Sequence, residues 1–126
     1  MVKGAPGLDP GTHTNPRRYE KINGFYSEVV ARAGGVATPL YTVATDPART
    51  AGQDTTIYTL IIENSTGAAI TAWLEVGGVV ITPAYHVNNN ETGVITFVAG
   101  HNVGDQDIDC NASADAVEFQ ILGTEA

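Results

Sequence analysis

Between residues 55 and 98 the chain alternates short β-prone runs with turn residues at near-regular spacing. Residues 55–63 are rich in β-branched and aromatic side chains, and Asn64-Ser65-Thr66-Gly67 closes them as a turn cluster. Residues 70–76 follow with a clean alternation: Ile70, Ala72, Leu74 and Val76 on one face, Thr71, Trp73 and Glu75 on the other. Gly77-Gly78 is a two-residue hairpin signal. Residues 79–82 and 85–87 are further short runs, residues 88–93 a polar loop, and residues 94–98 the next strand. The first run carries apolar residues on both faces (Ile57 and Ile61, Leu60 and Ile62), which predicts a central strand buried on both sides. The second predicts a core face of aliphatics and an outer face bearing Trp73.

The flanks extend the pattern. Residues 24–30 predict a strand, with Phe25, Ser27 and Val29 on one face and Tyr26, Glu28 and Val30 on the other; a short helix over residues 19–32 is the competing reading. Residues 38–44 predict a strand that Pro39 confines to an edge or a strand start. Ala99-Gly100-His101-Asn102 reads as a turn, residues 105–111 as a strand with an acidic face, and residues 117–122 as the closing strand with Val117, Phe119 and Ile121 inward. The fold class is therefore all-β: a single antiparallel β-sandwich or small barrel of about six to eight short strands. Residues 1–23, with Pro6, Pro10 and Pro16, are denied a regular helix or a central strand and form an extended arm. Residues 24–126 form the body, with its core in 55–123.

At 126 residues the chain is long enough to bury a modest core without staples. Its one cysteine, Cys110, excludes an intrachain disulfide and reads as a small residue packed in a strand. No apolar run approaches the ~20 residues of a membrane-spanning helix. The N-terminal MVKGAPGLDPGTHT lacks the apolar core of a signal peptide, so the chain is expected to be used inside a cell or released by lysis.

Charge is divided sharply. The net charge is −8, yet all six basic residues (Lys3, Arg17, Arg18, Lys21, Arg32 and Arg49) lie in the first fifty positions, against four acids, for a local net of +2. From Ala51 onward there is no Lys or Arg, and ten acids remain. An acidic body repels nucleic acid, and Arg17-Arg18 alone are too few charges to bind it. The basic arm suits an acidic surface, including the body of a neighbouring copy.

Chemistry-bearing patterns are sparse. Asp105, Asp107 and Asp109, spaced by two, would line one face of a strand at roughly 7 Å intervals. They are weak candidates for a hard cation such as calcium, because the glycine and distal glutamate of a calcium loop are missing at the required offsets. A solvated acidic face that discourages edge pairing is the simpler reading. His13, His86 and His101 have no zinc-ligand spacing. No GxSxG elbow, Cys/His/Asn set or phosphate loop occurs, so neither catalysis nor a cofactor is expected. Asn64-Ser65-Thr66 and Asn111-Ala112-Ser113 match the N-glycosylation pattern, which means little without a secretory signal.

The stretch YTLIIENSTGAAITAWLEVGGVVI, residues 58–81, resembles small β-sandwich virion proteins of tailed bacteriophages. Such proteins show a strand ending in Asn-x-Ser/Thr-Gly, an alternating strand, Gly-Gly and another short strand. The resemblance covers about residues 55–123 and leaves out the arm. It implies a capsid decoration (cement) protein at the virion surface, produced in the host cytoplasm. Its partners would be the major capsid protein and copies of itself, as a trimer or other homo-oligomer, with no nucleic acid and no membrane. The arm would then bridge capsid subunits through Arg17, Arg18 and Lys21 as polar contacts, with Tyr19, Phe25, Tyr26 and Trp73 as apolar anchors. The alternative is a tail or neck accessory, or a carbohydrate- or receptor-binding sandwich using aromatics such as Trp73, Tyr41 or Tyr85.

Overall fold

The computed structural model describes residues 23–45 and 49–126. The arm residues 1–22, with Arg17, Arg18, Tyr19 and Lys21, lie outside them, as does His13. Ten strands are present among the described residues: β1 (Asn23–Tyr26), β2 (Val30–Ala31), β3 (Thr38–Tyr41), β4 (Thr55–Asn64), β5 (Ile70–Val76), β6 (Val79–Val80), β7 (Tyr85–Val87), β8 (Glu91–Gly104), β9 (Ile108–Ala112) and β10 (Glu118–Glu125). They exceed the expected six to eight because β2 and β6 are only two residues long. One antiparallel sheet has the order β1-β10-β4-β8, with β2 also on β10; the other has the order β3-β9-β5-β6, with β7 also on β5. The two pack face to face as a β-sandwich.

The core is the aliphatic face of each sheet. Ile57, Leu60 and Ile62 of β4 and Phe119 and Ile121 of β10 meet Ala72 and Leu74 of β5, Ile108 and Cys110 of β9 and Leu40 of β3. Each large aliphatic or aromatic side chain so buried contributes about 1.5–3 kcal/mol relative to exposure. Ile70, Ala72 and Leu74 face the core with Trp73 on the outer side, as the alternation predicts. Gly77 and Gly78 both take positive φ (57° and 81°) and close the β5–β6 hairpin with Val76 opposite Val79. Positive φ at both turn residues is what a two-residue hairpin of the favoured hand requires. Pro39 sits in β3, an edge strand, where a missing N–H costs no ladder bond.

The strand expected over residues 38–44 ends at Tyr41, and three larger expectations change for a backbone reason. β4 is central in its sheet but is not buried on both faces. Its register against β8 slips between Ile57 and Thr59, so the inward parity switches. Ile57, Leu60 and Ile62 all end inside, while Tyr58 is exposed and Ile61 half-buried. The apolar residues of both parities record that switch. Residues 88–102 do not divide into a polar loop, a strand and a turn: β8 runs unbroken from Glu91 to Gly104. Gly100 is a kink within it, with φ 79° and so close an approach that a Cβ would meet Thr56 Cγ2 at 2.5 Å. The strand expected over residues 24–30 breaks after Tyr26, because Ser27 turns inward: Ile121 N donates to Ser27 Oγ (2.9 Å), and Ser27 N donates to Ile121 O (2.9 Å). Val30 then rejoins the sheet facing the core, not with Tyr26.

The turn cluster after β4 also has a structural role. Asn64 is fully buried; its Nδ2 donates to Ala68 O (2.7 Å) and Val87 O (3.0 Å), and its Oδ1 accepts from Thr66 N (3.0 Å) and Thr66 Oγ1 (2.7 Å). Both amide hydrogens are engaged, which explains an asparagine here without glycosylation. At the other end of the sheet, a Cβ at Gly123 would meet Thr56 O at 2.0 Å. Only glycine permits that approach, where the β10–β4 register shifts between Leu122 and Gly123.

Candidate interaction surfaces

The outer face of each sheet and one end of the sandwich carry the polar and exposed groups. The outer face of the β1-β10-β4-β8 sheet is largely uncharged at its centre. Tyr26 lies opposite Leu122, Leu122 opposite Thr59, and Thr59 opposite Thr96. One row along, Gln120 pairs with Ile61 and Ile61 with Val94. Tyr26 (75 %), Val94 (63 %) and Val98 (94 %) are strongly exposed, and Tyr58 and Leu122 lie among them. β8 is the edge of this sheet. Toward one end the face becomes acidic: Glu118 pairs with Glu63. Both point outward because their neighbours Phe119 and Ile62 are fully buried. A groove of about 150 Å³ runs beside them, lined by Val29, Ile61, Glu63, Glu118, Phe119 and Gln120.

The outer face of the other sheet holds Trp73 in a polar network. The Trp73 indole N–H donates to Glu75 Oε2 (2.8 Å), and Asn111 Nδ2 donates to the same oxygen (2.8 Å). Arg32 Nε donates to Asn111 Oδ1 (3.1 Å), and Arg32 Nη1 pairs with Asp115 (2.7 Å). Glu75 lies opposite Asp109 across the β5–β9 ladder. Partial burial, then the charges of Glu75 and Asp107, push the Asp109 carboxyl above its ordinary pKa.

The expected acidic strand face does not form. β9 begins only at Ile108, so Asp105 and Asp107 lie in the preceding loop and Asp109 alone stands on a strand. Each aspartate has separate surroundings. Asp105 accepts from Arg49 and from Gly52 N (3.1 Å), and Asp107 accepts from Val43 N (3.0 Å). Among the described residues no group of three or more His, Cys, Asp or Glu is placed to hold a metal ion.

At the end of the sandwich a buried ion pair ties three segments together. Glu125 is fully buried, and the Arg49 side chain is only 4 % exposed. Arg49 Nη1 donates to Glu125 Oε2 (2.5 Å) and Thr55 Oγ1 (2.6 Å), Arg49 Nη2 donates to Asp105 Oδ1 (2.7 Å) and also to Gln53 O, and the Tyr41 hydroxyl donates to Glu125. Burial works against the Arg49 charge, yet Glu125 and then Asp105 outweigh it, so the guanidinium holds its proton more tightly than a free arginine. The pair links the loop before β4, the loop before β9 and the end of β10. The sequence does not reveal it: Arg49 reads as one of six cations in the first fifty residues, and no local spacing joins it to Glu125.

Of the residues singled out for partner contact, four lie outside the described chain. The other three point in different directions. Tyr26 is on the apolar outer face. Phe25 faces inward and stacks on Tyr41, with centroids 4.4 Å apart and planes at 21°. Trp73 is half-buried on the opposite sheet. Phe25 is therefore a packing residue, not an exposed anchor. His86 Nε2 is 3.0 Å from Asn88 Oδ1, and His101 tilts against Phe97. Cys110 is buried and 3.4 Å from Thr38 O, and burial pushes its thiol up to about 12. Neither the protein-family models nor the curated proteins compared with the chain match it.

Arg49→Met strands Glu125 as a buried, unpaired carboxylate and is expected to lower unfolding stability by about 3–5 kcal/mol; Arg49→Met with Glu125→Met removes both charges and should recover most of it. Denaturant midpoints of the two variants check this. Asp109 behaves oppositely. Its folded pKa is raised, so its protonated form favours the fold at low pH, and that contribution disappears as pH rises through the folded value. Asp109→Asn should therefore raise the melting temperature at neutral pH, with the gain shrinking as pH falls through the Asp109 titration.

Proposed function

We propose that this chain is a virion structural protein: a capsid decoration (cement) protein that binds the outer shell and bridges capsid subunits through its N-terminal arm. The observation that carries the reading is the outer face of the β1-β10-β4-β8 sheet, where Tyr26, Leu122, Tyr58, Val94 and Val98 expose apolar surface across four strands. Exposed apolar side chains gathered on one face mark an interaction site. The resemblance of residues 58–81 to phage β-sandwich virion proteins supplies the setting. The mechanism is mechanical: the sandwich is a rigid block, and many weak contacts repeated over a shell add through avidity. The major capsid protein and further copies of this chain are the proposed partners.

The glycan-binding alternative gains less from the geometry. Sugar platforms need an exposed aromatic face, whereas Trp73 is half-buried with its N–H engaged by Glu75, and Tyr41 lies under Phe25.

Limited proteolysis and hydrogen exchange of the full chain, free and mixed with shells assembled from the major capsid protein of its own genome, test the reading. Co-sedimentation with the shells, and protection of residues 1–22 on them beyond whatever the free protein shows, is the expected result. No binding to shells, or no added protection of residues 1–22 on them, would overturn the clamp.

A further inference from the structure

Glu63 and Glu118 pose an electrostatic problem that the described residues do not solve. They are direct cross-strand partners on one face, which places their Cβ atoms about 4.5–5.5 Å apart, and like charges so placed destabilise a sheet. No ion pair to either occurs among the described residues. The chain has six cations. Arg32 is committed to Asn111 and Asp115, and Arg49 to Glu125 and Asp105. The remaining four, Lys3, Arg17, Arg18 and Lys21, all precede β1. Beside the two carboxylates the groove offers the aliphatic side chains of Val29 and Ile61. A segment that fits it is basic with an apolar component, and Arg17-Arg18-Tyr19 has that composition.

Reach decides whose groove is filled. Asn23 pairs with Glu125 and Tyr26 with Leu122, so the chain enters β1 at the Glu125 end and runs toward Glu118. Glu125 lies seven residue steps from Glu118 along β10, about 23 Å at the strand rise. To reach the groove of its own chain, the segment before β1 has to reverse. Arg17 precedes Asn23 by six residues. A reversal uses at least about two of them, and the remainder spans only about 13 Å. A neighbouring chain has no such constraint.

We propose that residues 17–22 of one copy dock in the groove between Val29, Ile61, Glu63 and Glu118 of a second copy, with Arg17 and Arg18 set against the paired carboxylates. This rests on the reading above only in treating the arm as an assembly contact, and its test needs no shell. Association of this kind joins chains whose net charge alone would drive them apart, and it gives the cation-free stretch after residue 50 a cationic partner from the same gene product.

Disulfide trapping between full-length single-cysteine variants tests it. Tyr19→Cys chains are mixed with isotopically heavy Val29→Cys chains under mild oxidation, which leaves all four charges of the contact in place; native Cys110 is buried and does not compete. The control partner is Val80→Cys, exposed on β6 of the other sheet. Docking raises the effective concentration of the matched thiols, so heterodimers with Val29→Cys should exceed those with Val80→Cys by about tenfold or more. Equal yields, or no heterodimer, would overturn the docking. A disulfide within single chains of the Tyr19→Cys/Val29→Cys double variant would overturn the exchange between copies. Shell binding is read separately, so failure here and failure of the virion reading are distinct results.

Discussion

The distribution of cations constrains this molecule more than any other feature. Ten carboxylates lie after residue 50 with no lysine or arginine among them, and each has to find another way to be tolerated. Glu125 is buried against Arg49, borrowed from the loop before β4. Glu75 accepts from Trp73 and Asn111. Asp115 takes Arg32, while Asp105 and Asp107 accept backbone N–H groups. Asp109 is partly buried near Glu75 and Asp107, and that burial first, then the two charges, raises its pKa. Once Arg32 and Arg49 are committed, Glu63 and Glu118 stand opposed on an open face with only the cations before β1 to serve them.

The sandwich carries this charge because its interior does not depend on it. Two sheets meet through aliphatic and aromatic side chains from β3, β4, β5, β9 and β10, with no disulfide to close them. Polar groups inside serve geometry: Asn64 fastens the turn after β4, and Ser27 substitutes its hydroxyl for a break in the ladder. The Arg49–Glu125 pair closes the end where the chain after β3 returns to start β4. Buried ion pairs of this kind contribute little net stability over apolar replacements, yet are costly to break singly.

Local pattern revealed what local pattern controls. The alternation of residues 70–76, the Gly-Gly hairpin and the inward set Val117, Phe119 and Ile121 are readable because one face is buried and the period is two. The two-sided apolarity of residues 57–62 is visible, but its cause is not: the parity switch depends on register against β8, a property of two strands. Gly100 looks like a turn residue and is a kink, because what demands glycine is Thr56 on the neighbouring strand. The aspartates at 105 and 107 continue the strand spacing of Asp109 but lie before its strand, since they are drawn to Arg49 and to the backbone at Val43. The Glu63–Glu118 pair, like Arg49–Glu125, is a long-range pairing that composition hints at and only topology makes specific. Of the residues read as anchors, Tyr26 stands exposed, whereas Phe25 is drawn inward to stack on Tyr41.

In the docking proposed above, the cations before β1 neutralise acidic groups on another copy. Sedimentation equilibrium of the intact protein across ionic strength tests it most directly. Charge-complementary docking predicts association at low salt that weakens as added ions screen the contact, although the chain's net charge is −8. A monomer at every ionic strength, or association that strengthens with salt as self-repulsion is screened, would contradict it.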